Sequence, residues 1–138
     1  MNGPYNYVGD GNVEKWIETL EAARKLGARI VCPGHGPRDA ETMLANQQKY
    51  FRTLRERVGG LVNAMKTPEQ VRDSVGQISA EIKTDASIAR YVGPYLSAQA
   101  EKVYNEMTGN NFPAAQKSAL DARHLHAHAH GHSLHQHV

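Results

Sequence analysis

The 138-residue sequence contains one cysteine, Cys32. No internal disulfide can form, so packing and hydrogen bonds must hold the fold. Neither sign of charge dominates: 16 Lys and Arg face 14 Asp and Glu, for a formal net charge of +2. A nucleic-acid partner requires a basic stripe, and none is present. No apolar run approaches the roughly 20 residues of a membrane span, which excludes a spanning helix. Residues 1–11 are polar and glycine-rich and do not read as a signal peptide, so the compartment stays unassigned and the chain reads as soluble. The balance is that of a globular protein, 40% hydrophobic and 22% charged. The length suits one domain, burying about two-thirds of its unfolded surface.

Residues 1–12 hold three glycines, three asparagines and a proline, a composition of turns and loop. Asn12 then stands where a helix N-cap is expected. Val13, Trp16, Ile17, Leu20, Ala23 and Leu26 follow at spacings of three and four, which predicts an amphipathic helix with those residues on its core face. Glu14 and Lys25 suit the two ends of its dipole, and Gly27 is the expected stop.

Residues 28–32, Ala-Arg-Ile-Val-Cys, are a short apolar run bounded by Gly27 and Pro33. They predict a buried strand of about five residues. Cys32 then reads as a small core residue, since a nucleophile would need a base and an activating environment. Helix, glycine turn and strand in this order imply an α/β layer. One strand makes no sheet, so partners for it are missing from the pattern.

The rest reads as helical. Asp39 is placed to cap a helix from about residue 40 to 58 with Met43, Leu44, Tyr50, Phe51, Leu54 and Val58 inward. Gly59 and Gly60 interrupt it, with residues 61–65 able to continue it. Arg52, Arg55, Glu56 and Arg57 look like its solvated face. Thr67, Pro68 and Gln70 form a capping box opening a helix that carries Val71, Val75, Ile78 and Ile82. A further helix is expected over 86–107, kinked near Gly93 and Pro94, and a last short one over 114–125.

The segment with chemical content is Val31-Cys32-Pro33-Gly34-His35-Gly36-Pro37. Pro33 ends the strand, and two glycines leave one imidazole uncrowded at the strand's end, where α/β proteins place ligands. From the residues alone two readings stand. His35 is a metal ligand, or it is a turn histidine bonded only to backbone. Tyr5 and Tyr7 carry a similar pair of readings, lining a substrate pocket or simply packing.

The block GDGNVEKWIETLEAARKLGARIVCPGHGP resembles the late part of the metallo-β-lactamase superfamily, most closely its SoxH and quinoprotein-relay branch. The shared pattern is an amphipathic helix with a tryptophan, a short strand ending in V-x-P-G-H-G-P, and a long helix, covering residues 1 to about 60. The resemblance implies an α/β but mostly helical chain. It would be the C-terminal portion of an αββα sandwich, with one short strand over 28–32 and extra C-terminal helices. It divides the chain into a metallo-β-lactamase-like part (1–60), an appended helical segment (61–123) and a His-rich tail (124–138). It also implies that His35 is a ligand to the second metal of a two-zinc site. In such a site a metal-bound hydroxide attacks a small-molecule carbonyl, thioester or phosphoester. The family's H-x-H-x-D-H motif, further histidine and bridging aspartate do not occur here in matching context, and Asp10 lies in a different loop. The expectation is that these ligands lie upstream of Met1, that Met1 is internal to a longer protein, and that the chain alone is inactive.

The tail holds seven of the eight histidines. His124, His126, His128, His130 and His132 alternate along a low-complexity stretch, which reads either as a solvated end or as an unselective chelator of zinc, nickel or copper. The competing function is therefore a non-enzymatic helical protein with a metal-binding tail. Strand edges and helix faces left without partners are expected to drive self-association or poor solubility.

Overall fold

The computed structural model describes residues 1–109. Five helices follow in order: α1 (Val13–Arg24), α2 (Thr42–Asn63), α3 (Pro68–Asp73), α4 (Val75–Lys83) and α5 (Leu96–Thr108), with a 3-10 turn at Ala89–Tyr91 before α5. The chain is mostly helical, as expected. The strand over 28–32 is not formed. Among the described residues its place is taken by one antiparallel bridge between Val31 and Asp39. Ile30 is 65% exposed and Cys32 is exposed, so neither is a core residue. The reason is the one its composition hides: a strand needs a ladder on its flank, and the turn back to Asp39 supplies a single pair.

Side-chain caps set two of the five helix starts, those of α1 and α3. Asn12 caps α1 by accepting the Lys15 N–H at 2.9 Å. Val13 and Leu20 are buried, and Trp16, Ile17 and Ala23 pack against the core. The Trp16 ring centroid lies 6.5 Å from that of Phe51. The helix ends at Arg24, so Leu26 leaves the apolar stripe and is 83% exposed. Asp39 does not cap α2. Its side chain accepts the adjacent Ala40 N–H at 2.8 Å, its backbone is paired to Val31, and the helix begins at Thr42.

All six expected inward positions of α2 are buried. The helix runs unbroken through Gly59 and Gly60 to Asn63. Each glycine costs roughly 0.5–1 kcal/mol in a helix, but Val58 is buried beside them and Met107 of α5 lies against Gly59, so packing overrides propensity. α1 and α5 both pack on α2. Their apolar residues join Val71 of α3 and Ile78 and Ile82 of α4 in one core. Arg55 is not part of a solvated face. It sits between Glu106, at 3.4 Å, and Glu14, at 3.7 Å. Glu106 also accepts the Val13 N–H at 2.9 Å, which ties the start of α1 to α5.

The capping box is present in both directions: Gln70 N–H donates to Thr67 Oγ1 at 3.3 Å, and Thr67 N–H to Gln70 Oε1 at 3.0 Å. The helix it opens breaks at Ser74, whose hydroxyl donates to the Gln70 carbonyl at 2.7 Å. Such back-bonding competes with the helical ladder. The helix expected over 86–107 is likewise divided into the 3-10 turn and α5. At Gly93 the chain runs against Pro4, and a Cβ there would overlap the Pro4 carbonyl. The short helix expected over 114–125 and the His-rich tail lie outside the described residues.

Candidate functional site

The loop carrying His35 is held from the N-terminal segment. Asn2, 3% exposed, donates its backbone N–H to the His35 carbonyl at 2.8 Å and its side-chain amide to the Pro37 carbonyl at 2.9 Å. Two bonds from one residue clamp both ends of the turn. Gly36 between them has φ +89°, a region that L side chains rarely adopt, and a Cβ there would run into the Asn2 backbone. The glycine is therefore required twice over, by conformation and by space.

The clamp is anchored in turn. The Asn2 side-chain oxygen accepts from Arg90 and from the Tyr91 hydroxyl, the latter at 3.1 Å. Arg90 also pairs with Asp39 at 3.1 Å. Asp39 closes the circuit through its two backbone bonds to Val31, at 2.9 and 3.1 Å. The Ala40 N–H, followed by Arg90, holds the Asp39 carboxyl below the usual carboxylate range. Burial pushes the Tyr91 hydroxyl up.

A second asparagine fixes the same segment deeper in the core. Asn6 is fully buried; it donates to the Tyr91 carbonyl at 3.2 Å and accepts from Gln47 at 3.3 Å. Its carbonyl accepts from the buried Gln99, whose side-chain oxygen takes the Tyr50 hydroxyl at 2.5 Å. Buried polar groups cost free energy unless bonded, and here each finds a partner.

His35 itself is exposed. It faces a cleft of about 330 Å³ between residues 1–5 and 35–37. Tyr5 lines that cleft. Tyr7 does not; both tyrosines meet Tyr95 edge-on, at centroid distances of 6.4 and 5.9 Å. Both remain substantially exposed, at 65% and 47%.

Among the described residues no three His, Cys, Asp or Glu side chains gather closely enough to hold a metal ion. A catalytic zinc takes three protein ligands and a structural zinc four. His35 is one donor, so the described residues do not by themselves fit zinc. The tail histidines at 124, 126, 128, 130 and 132 lie outside the described residues. Among the described residues no helix is long and apolar enough to cross a membrane.

Sequence reasoning identified the loop but missed the residues that shape it. Asn2, Asn6, Arg90 and Tyr91 belong to segments read as turn or continuous helix. Only the pair of asparagines in N-G-P-Y-N-Y hints at them, and no local pattern marks an asparagine as buried. No protein-family model, curated protein or solved structure matches the chain.

Proposed function

We propose that the chain is the C-terminal part of a zinc-dependent hydrolase of the metallo-β-lactamase fold, with His35 as one ligand of a two-metal centre acting on a small molecule. The observation that supports this is the state of the loop. An imidazole stands exposed at the edge of a cleft, on a backbone locked by Asn2 and Gly36 and offset from the helical core. Metal ligands gain affinity when their backbone is fixed beforehand. Because no three ligating side chains gather among the described residues, these residues alone are not expected to hydrolyse anything. The other ligands would come from sequence outside these 138 residues. Reading the gene upstream of Met1 tests this. An in-frame H-x-H-x-D-H supports the proposal, and a stop codon close by removes it.

A second reading is favoured by one feature, the seven histidines crowded into the last 15 residues. Here the chain is a helical protein that binds metal through its tail, without catalysis. Zinc titration of the protein expressed with whatever open reading frame precedes Met1, with and without residues 124–138, separates the two. If His35→Ala leaves zinc binding unchanged and removal of the tail abolishes it, the tail reading stands.

A further inference from the structure

We propose that Arg90 is a positioning residue for the cleft beside His35. It fixes the spacing between the wall of residues 1–5 and the loop of residues 35–37, so the helical segment after residue 60 is part of the site and not an appendage to it. The role rests on that cleft being the working site of the proposed function; it does not need a metal there.

Neither wall has regular structure to hold it. Residues 1–12 contain no helix or strand, and between α1 and α2 the backbone forms one bridge, Val31 with Asp39. Asn2 joins the walls at the turn, through the His35 and Pro37 carbonyls. One residue between two irregular segments leaves a hinge unless the base of the loop is also fixed. That base is Asp39, and Arg90 reaches it.

Arg90 Nη2 donates both to the Asn2 side-chain oxygen and, at 3.1 Å, to Asp39 Oδ2. A single nitrogen thus spans the two walls. It is placed from behind. The guanidinium carbon lies 5.4 Å from the centroid of the Tyr91 ring, within the range of a cation–π contact. That ring is fully buried, with its hydroxyl on the same Asn2 oxygen at 3.1 Å. The following residues support the rest of the wall. The Tyr91 carbonyl accepts from Asn6 at 3.2 Å, Gly93 runs against Pro4, and Tyr95 meets Tyr5 and Tyr7 edge-on. Pro4 and Tyr5 line the cleft, so its shape on that side is set from residues 90–95.

The ion pair alone does not carry this role. The Arg90 and Asp39 side chains are 44% and 41% exposed, and exposed pairs contribute little. The Asn2 oxygen belongs to a residue that is 3% exposed, and a charged donor on such an acceptor makes one of the stronger hydrogen bonds. Without the guanidinium, Asn2 still has the Tyr91 hydroxyl, so the fold is expected to survive while the spacing is lost.

The test uses the full chain in solution without metal. Nuclear Overhauser contacts between residues 3–5 and 35–37 report the spacing, and amide order parameters report motion at residues 34–36. The His35 ring signal, identified by its loss in His35→Ala, reports the imidazole, and circular dichroism reports the helices. Arg90→Met keeps an unbranched stem and removes the donors. It is expected to lose the cross-cleft contacts, to lower the order parameters from roughly 0.85 to below about 0.6, and to shift the His35 signal, with the helices intact. Arg90→Lys keeps a cation with several donors and is expected to restore all of these. Asp39→Asn removes the ion pair, keeps an acceptor, and is expected to resemble the parent. Parent-like spacing and order in Arg90→Met overturn the proposal. So does loss of helix in that variant, which would make Arg90 a residue of the fold and not of the cleft. Failure of lysine to rescue removes the role given to Nη2, and Asp39→Asn as damaging as Arg90→Met leaves only an ion pair. No arm reads metal, so the result is separate from whether an H-x-H-x-D-H motif precedes Met1.

Discussion

Asn2 grips the turn of His35 at two points, through its backbone N–H to the His35 carbonyl at 2.8 Å and its side chain to the Pro37 carbonyl at 2.9 Å. The position of the imidazole is therefore set by a residue 33 places earlier in the chain, and the strength of that link can be measured.

Asn2→Ala keeps the backbone bond and deletes the side chain. The Pro37 carbonyl, the Arg90 guanidinium and the Tyr91 hydroxyl then lose a partner near or below the surface. Leaving buried polar groups unmet costs about 1–3 kcal/mol. Urea unfolding should show a loss of that size. Backbone relaxation at residues 34–37 should show increased motion. A loss below about 0.5 kcal/mol with an unchanged loop would mean the clamp is decorative.

Gly36→Ala meets two obstacles, a φ of +89° and the backbone of Asn2. A left-handed residue other than glycine costs roughly 1–2 kcal/mol before any clash is counted. The variant should melt earlier than the parent. Its amide shift changes should be confined to residues 1–5 and 33–39. Changes spread through α2 and α5 would show that the loop is coupled to the core more broadly than described.

At the end of α2, Met65 has φ +56° and is 89% exposed. Its N–H bonds to the Val62 carbonyl at 2.9 Å, and the Lys66 N–H bonds to that of Leu61 at 3.0 Å. This is the paired pattern of a Schellman C-cap, where glycine is the favoured occupant. Met65→Gly should stabilise the fold by up to about 1 kcal/mol, the relief of left-handed strain exceeding the added freedom of the unfolded chain. Thermal unfolding checks the sign, and a lower melting temperature contradicts it.

Asp85 is held at a pKa of about 2 by the Lys49 ammonium, then by the Ser87 hydroxyl and N–H. Its folded pKa lies below the ordinary value of 3.8. The stability it contributes is present above the unfolded pKa and is lost as pH falls through the folded one. Asp85→Asn should therefore flatten the stability profile between pH 4 and pH 2, where the parent chain declines. Melting temperatures across that interval provide the check. Parallel profiles for the two proteins would show that the pair is screened away by solvent.

The features readable from sequence were those that depend on near neighbours. The cap at Asn12, the box at Thr67 and Gln70, and the inward face of α2 all follow from spacings of three or four residues, and the structure has them. What failed was whatever depends on distant chain. Ile30 and Val31 read as a buried strand because they are β-branched and apolar, but burial requires a partner that no local pattern supplies. Gly59 and Gly60 read as an interruption, yet Met107, far along the chain, packs against Gly59 within a continuous helix. Ser74 looks like an ordinary helical residue until its hydroxyl turns back on Gln70. His35 was legible because two glycines and two prolines isolate it. Its supports, Asn2 and the Arg90–Tyr91 pair, were not, since each acts across more than 30 residues of sequence.

The role given to His35 is tested most directly by counting metal. The gene is to be expressed with whatever open reading frame precedes Met1, the tail after residue 123 removed, and zinc per chain measured by elemental analysis with and without His35→Ala. The account predicts about two zinc ions per chain in the parent and a loss of at least one in the variant. An equal zinc content in the two proteins, or none in the parent, would contradict it.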